Sequence, residues 1–253
     1  MLAGSTGQNS GVSSMTVSVA SVPVHVHWSV LLVVLILVPQ IELRPAIGWT
    51  AGFLLAVVLH ELGHALLAKR FGAGQVQISL MMFGGVTTFI PTGIGHGKRF
   101  LISAAGSAIG IAVGGPLYWA ERFGSLSIPP GDLQNVARGF VLSAFFWGVF
   151  NWLPMLPLDG GHMLVHALAL KINPGTAHTI TRAVSIVAAA GAVFAAQVYF
   201  PDSSFLTIFI VIIAAQGIFS PNPYRIPPPR ARLEHPPRND DPLSGIGGTM
   251  SDR

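Results

Sequence analysis

Six apolar runs, at residues 28–43, 47–68, 100–119, 136–153, 179–200 and 205–219, leave few folds open to this chain. A helix crosses a bilayer with about 20 mostly apolar residues, within a range of about 17 to 25. The second, third and fifth runs meet that length. The first, interrupted by Pro39, and the fourth and sixth lie near its lower limit. Charged residues make up 9% of the chain, against about 25% in soluble domains, too few to cover a water-facing surface. The expectation is an all-α polytopic membrane protein with about six transmembrane helices.

Two stretches between the runs depart from helix patterning. Residues 16–27 are Val-rich and alternate, which predicts a short strand at the membrane surface, and residues 76–95 read as two β-prone stretches joined at Gly84 and Gly85. A short membrane-associated β-hairpin or sheet therefore accompanies the helices. Residues 160–172 read as a short amphipathic helix after a Gly-Gly break. The Ser/Gly-rich residues 1–15 have no basic-then-apolar leader and are expected to be disordered. Residues 16–220 form the membrane domain, and the Pro-rich tail 221–253 is expected to be disordered.

The formal net charge is +4, yet the basic residues sit beside apolar runs rather than in a stripe. That placement argues for lipid contacts and orientation signals, with no nucleic acid as partner. With the N-terminus in the cytoplasm, Lys69, Arg70, Lys98, Arg99, Lys171, Arg182 and the tail arginines are cytoplasmic. Only Arg44, Arg122 and Arg138 lie opposite. The positive-inside rule then sets both termini in the cytoplasm of a plasma membrane, and the compact plan suggests a prokaryotic one.

Carboxylates are costly at membrane depth and mark function when they occur there. Glu61 and Asp159 are the two acidic residues embedded in or abutting strongly apolar segments. Glu61 belongs to His60-Glu61-Leu62-Gly63-His64, late in the second run. Residues four apart share a helix face, so His60 and His64 can reach one metal ion, with Glu61 beside it as a general base. Chance would produce this pattern about 0.005 times in a chain of this composition. There are no cysteines, so any metal must be held by His, Asp or Glu. A catalytic zinc takes three protein ligands, and Asp159 is the best third. Asp159 as a plain cap of the next helix is the alternative. His162 and His166, also four apart, are either interfacial polar residues, outer partners of the site, a third ligand or a second metal pair. His25 and His27 read as surface residues, and His96 and His178 as loop histidines. Counting from Ile47, His60 lies about 20 Å into the run, nearer the cytoplasmic face.

These residues resemble the site-2 protease family of intramembrane zinc metalloproteases. His60-Glu61-Leu62-Gly63-His64 matches its first zinc motif. Asn151, Pro154, Pro157, Leu158, Asp159, Gly160 and Gly161 match its Asn-x-x-Pro-x-x-Pro-Leu-Asp-Gly-Gly motif, in the family's order. Pro23 to Trp28 resembles the start of the first helix in smaller bacterial members. The resemblance implies one catalytic Zn2+ held by His60, His64 and Asp159, with Glu61 as the catalytic carboxylate. It implies Asn151 near substrate, and Gly84 and Gly85 in a β-hairpin that meets substrate. The implied activity is endoproteolysis in or near transmembrane segments of membrane-protein substrates (regulated intramembrane proteolysis). The form expected is minimal, without PDZ or CBS domains. One departure is Ala105-Gly106-Ser107-Ala108-Ile109-Gly110, where members often show Ala-Gly-Pro-x-x-Asn. A metal transporter and an inactive, helix-binding relative are the rival readings. Substrate identity and oligomeric state have no signature in the sequence.

Overall fold

The structure, a computed structural model, describes residues 14–38, 41–82 and 84–224. The two segments expected to be disordered lie outside the described residues, except for 14–15 and 221–224. Ser14 and Met15 open strand β1 (Ser14–Val19), which pairs antiparallel with β2 (Val22–His27). Ala20 and Ser21 join them with positive φ, 49° and 59°, the twist that a two-residue hairpin turn demands.

A single-turn 3-10 segment, Trp28–Leu31, leads into α1 (Leu32–Leu37). Together they rise about 17 Å, half the hydrocarbon thickness, so the first apolar run does not cross a bilayer as one helix. Helix α2 (Leu43–Arg70) carries the second run and, at 28 residues, is about 42 Å long. Pro45 falls in its first turn, where an N–H has no partner to lose. Then come β3 (Gly74–Met81) and β4 (Gly84–Ile90), followed by α3 (His96–Arg122) and α4 (Asp132–Asn151). Helices α5 (Asp159–Leu168), α6 (Pro174–Tyr199) and α7 (Ser204–Phe219) complete the fold.

The β element is larger than a hairpin: four strands in the order β1-β2-β3-β4. β2 and β3 pair in parallel, Val24 opposite Ile78 and Val26 opposite Leu80, with α1 and α2 as the crossover. Alternate residues Val22, Val24, Ile78 and Leu80 point to one face and are buried with Val30, Val57 and Ala65. The sheet thus lies against α2, and β4 is left as an edge strand. Gly84 and Gly85 sit inside β4 rather than at the joint between strands, because Met81 already pairs with Gly84 and Leu80 with Gly85.

Helices α2, α3 and α6 are long and apolar enough to cross a membrane, and the chain is a multi-pass membrane protein. Outward-facing Val187, Phe194 and Phe219 are 73%, 70% and 83% exposed, which suits a lipid-facing surface and no aqueous one. Small residues seat the helices closely. On α3, Gly106, Gly110 and Gly114 recur every fourth position and meet α2 or α4 backbone. At one end of the bundle Arg44 pairs with Asp132 at 2.7 Å and Arg138 with Glu121 at 2.6 Å. Two of the three cations assigned to the far side of the membrane are thereby neutralised.

Candidate metal centre

Helix periodicity places His60 and His64 one turn apart on α2, with their rings edge to face and Nε2 atoms 3.1 Å apart. Both are buried. Asp159 reaches them from the first turn of α5: Oδ2 lies 3.2 Å from His60 Nε2 and Oδ1 lies 3.3 Å from His64 Nε2. The N-cap of α5 is Leu158, and the Asp159 side chain turns toward the histidines. The structure therefore decides against a simple capping role.

Gly160 and Gly161 do not break the chain; they are the second and third residues of α5. A β-carbon on Gly161 would come within 2.6 Å of the Met155 carbonyl carbon, and one on Gly160 would meet the carbonyls of Trp152 and Leu153. They are glycines because the preceding Pro-rich turn folds tightly over the start of the helix, and that fold brings Asp159 to α2. The turn is held in part by Ser185 Oγ of α6, which accepts from the Leu156 N–H at 2.9 Å.

The carbonyl of Ile102 on α3 can only accept, so His64 Nδ1, 2.7 Å away, carries a proton and donates it. His64 Nε2 is thereby left as a lone pair facing His60 and Asp159. The buried Ser107 hydroxyl donates to Asp159 Oδ2 at 2.7 Å. Two imidazole nitrogens and a carboxylate crowd one point, and among the described residues these three form the group able to hold a metal ion. Tetrahedral zinc with bonds of about 2.0–2.1 Å separates its ligand atoms by about 3.3–3.4 Å; the two imidazole nitrogens are 3.1 Å apart, and each lies 3.2 to 3.3 Å from one or other oxygen of the Asp159 carboxylate. The donor set and its spacing fit zinc.

Glu61 is buried beside this group without joining it. Thr87 Oγ1 of β4 donates to Glu61 Oε2 at 2.7 Å and also approaches the Glu61 carbonyl at 3.1 Å. Gly85 lies directly on Glu61, since a β-carbon there would meet Glu61 Cδ and Oε1, each at 2.9 Å. Gly84 has φ of +128° and packs on the Trp147 ring. Asn151, the last residue of α4, is buried and donates from Nδ2 to the Trp147 carbonyl at 2.9 Å. A cavity of about 440 Å³ joins these groups; Gly85 to Phe89, Asn151 and Asp159 line it, as do Arg99, His162, His166 and Tyr224.

His162 and His166 do not enter the metal group. His162 faces the cavity, and His166 Nδ1 instead lies 3.2 Å from His96 Nδ1. His96 and His178 are not in loops, since His96 opens α3 and His178 is buried in α6. His25 and His27 lie on the inner strand β2, beside the Thr16 and Ser29 hydroxyls. Thr87, Ser107 and Arg99 had no motif to mark them. Ser107 was marked only as the residue standing where family members often show proline, with no role assigned to it.

No family model matches the chain. It is 30% identical over 169 residues to "Putative zinc metalloprotease Rip3" of Mycobacterium tuberculosis, covering 58% of this chain and 41% of that protein. It is 28% identical over 156 residues to "Zinc metalloprotease MJ0392" of Methanocaldococcus jannaschii, covering 60% and 44%. The chain spans less than half the length of either relative. The solved "Site-2 Protease from Methanocaldococcus jannaschii" shares the fold at TM-score 0.59 and 22% identity, over 85% of this chain and 100% of that one. Fold and site together define a multi-pass membrane protein with a His-Glu-x-x-His metal centre completed by an aspartate. In sequence the chain is similar to these zinc metalloproteases, and in fold it is similar to the site-2 protease.

Proposed function

We propose that this chain is an intramembrane zinc endopeptidase that hydrolyses peptide bonds in or near transmembrane segments of membrane-protein substrates. The observation that carries the reading is the convergence of His60, His64 and Asp159, whose donor atoms lie within 4.8 Å of one another, with Glu61 beside the group and outside it. Zinc held by these three residues supplies a Lewis acid for the scissile carbonyl and lowers the pKa of water toward 7.

The chain's own residues do the rest. Glu61 takes the proton of the attacking water and passes it to the leaving amine. Thr87 holds the Glu61 carboxylate in one orientation, and Ser107 does the same for Asp159. A scissile bond inside an intact helix has its carbonyl hydrogen-bonded, so the substrate unwinds locally before cleavage. The open edge of β4, whose residues Gly85 to Phe89 line the cavity, accepts the unwound segment by strand addition. Gly84 and Gly85 lie on the strand that meets that backbone, and the amide of Asn151 meets the substrate backbone or the developing oxyanion. The orientation proposed keeps both termini cytoplasmic, with the centre nearer that face of a prokaryotic plasma membrane.

The test is cleavage in detergent of a transmembrane peptide carrying a helix-breaking residue, comparing wild type with Glu61→Gln and measuring zinc content of both. Wild type is expected to cut and to stop with a chelator. Glu61→Gln is expected to keep its zinc and lose activity by about 10²–10⁴. A Glu61→Gln protein that cuts at the wild-type rate would refute the mechanism.

A further inference from the structure

The cavity is lined by two chemically different sets of residues. His60, His64, Asp159 and Glu61 line it together with Arg99, His162, His166 and Tyr224, and His162 is close enough to Asp159 and His64 to interact with them electrostatically. The carboxylates that line it are Glu61 and Asp159, and both are engaged by Thr87, Ser107 and the histidines. Arg99 makes no ion pair among the described residues. Its bond is from Nε to the Ile94 carbonyl at 2.9 Å, and among the described residues the outer guanidinium donors have no hydrogen-bond partner.

Its neighbour in sequence shows what an ordinary interfacial cation does here. Lys98 is exposed, with its ammonium 5.4 Å from the centre of the Phe71 ring. Arg99 is half-buried and turned inward to the cavity. A partly desolvated guanidinium presents a planar fork suited to a carboxylate, and burial without a counter-charge is costly. The surrounding groups add hydrogen-bonding capacity without negative charge: the Tyr224 hydroxyl, and the imidazoles of His162 and His166, the latter sharing a hydrogen bond with His96.

We propose that Arg99, with His162, His166 and Tyr224 around it, forms a subsite that receives an acidic side chain of the substrate. The proposal rests on the protease reading and deepens it by naming a substrate class. Arg99 precedes Ile102 by one helical turn and Ser107 by two, an axial offset of about 4.5 to 12 Å from the residues that fix His64 and Asp159. An extended substrate advances about 3.3 Å per residue. The acidic residue therefore lies within about four residues of the scissile bond.

The experiment uses the full chain in uncharged detergent and single-span peptides with Asp, Glu, Gln or Lys at each of four positions on either side of the cut. Wild type should favour the acidic peptide over its Gln counterpart by about tenfold in kcat/KM at one register, the worth of a charge-assisted hydrogen bond. Arg99→Gln should bring that ratio to about one, and Arg99→Glu should turn it in favour of Lys. Peptide binding to the Glu61→Gln variant, read by fluorescence anisotropy, should show the same preference and lose it in the Glu61→Gln, Arg99→Gln pair. Cleavage without acid preference, or a preference that survives Arg99→Gln, overturns the subsite and leaves the protease reading intact. Failure of wild type to cut any peptide strikes the protease reading, while the binding arm still decides the subsite. An Arg99 effect that is equal for all peptides and appears only when anionic phospholipid is added assigns the guanidinium to a lipid phosphate and overturns the proposal.

Discussion

Replacing Gly85 with Ala perturbs Glu61 without touching a metal ligand. The backbone at Gly85 is not in the left-handed region, so alanine adopts it freely. The new methyl would stand 2.9 Å from both Glu61 Cδ and Oε1, with Cγ nearer still, whereas ordinary contact begins at 3.4 Å. The carboxylate has to retreat by about 0.5 to 1 Å. A misplacement of about 1 Å in a reacting group costs about 10²-fold, which is about 2.7 kcal/mol of barrier. The retreat also strains the Thr87 hydrogen bond that now fixes the carboxylate at 2.7 Å. His60, His64 and Asp159 are untouched, so zinc affinity should stay within about twofold of wild type while kcat falls about 100-fold. Zinc affinity is read by chelator competition and kcat from cleavage of the helix-broken peptide in the same preparation. Equal loss of both would mean that β4 supports the metal centre itself, and unchanged kcat would mean that Glu61 is not the proton acceptor.

Other substitutions separate the supporting contacts. Ser107→Ala removes a fully buried donor to Asp159; zinc affinity measured by chelator competition should fall about 10- to 100-fold, as for other partners behind metal ligands. Thr87→Val keeps the shape and loses the donor to Glu61; kcat should fall about tenfold at unchanged zinc content, and Thr87→Ser should recover most of it. Gly106→Ala puts a methyl 2.7 Å from the His60 carbonyl and from His64 Cδ2, where backbone cannot yield. Detergent-phase thermal unfolding should show about 1 to 3 kcal/mol of destabilisation together with loss of zinc.

How far the site can be read from the sequence differs residue by residue. His60 and His64 lie four residues apart, so helical periodicity alone sets them on one face with Glu61 beside them. Asp159 is remote in the chain, and its own neighbourhood left a capping role open as the alternative to a ligand's. Packing of the Pro-rich turn over Gly160 and Gly161 removed that ambiguity. Thr87 and Ser107 are ordinary residues of a strand and a helix, and they become partners of carboxylates only because β4 and α3 flank α2.

The histidines make the same point from the opposite side. Spacing of four made His162 and His166 look like a pair, yet His166 is matched with His96 from another helix and His162 faces the cavity. Local pattern determines which residues share a face of one element, since that follows from 3.6 residues per turn or an alternation of two. The membrane class, the apolar helices and the first zinc motif followed from the sequence in that way. The four-stranded sheet, the placing of Asp159 beside His60 and His64 and the groups that hold each carboxylate were decided by tertiary packing. Those contacts join elements distant in sequence, and no local period encodes how such elements approach.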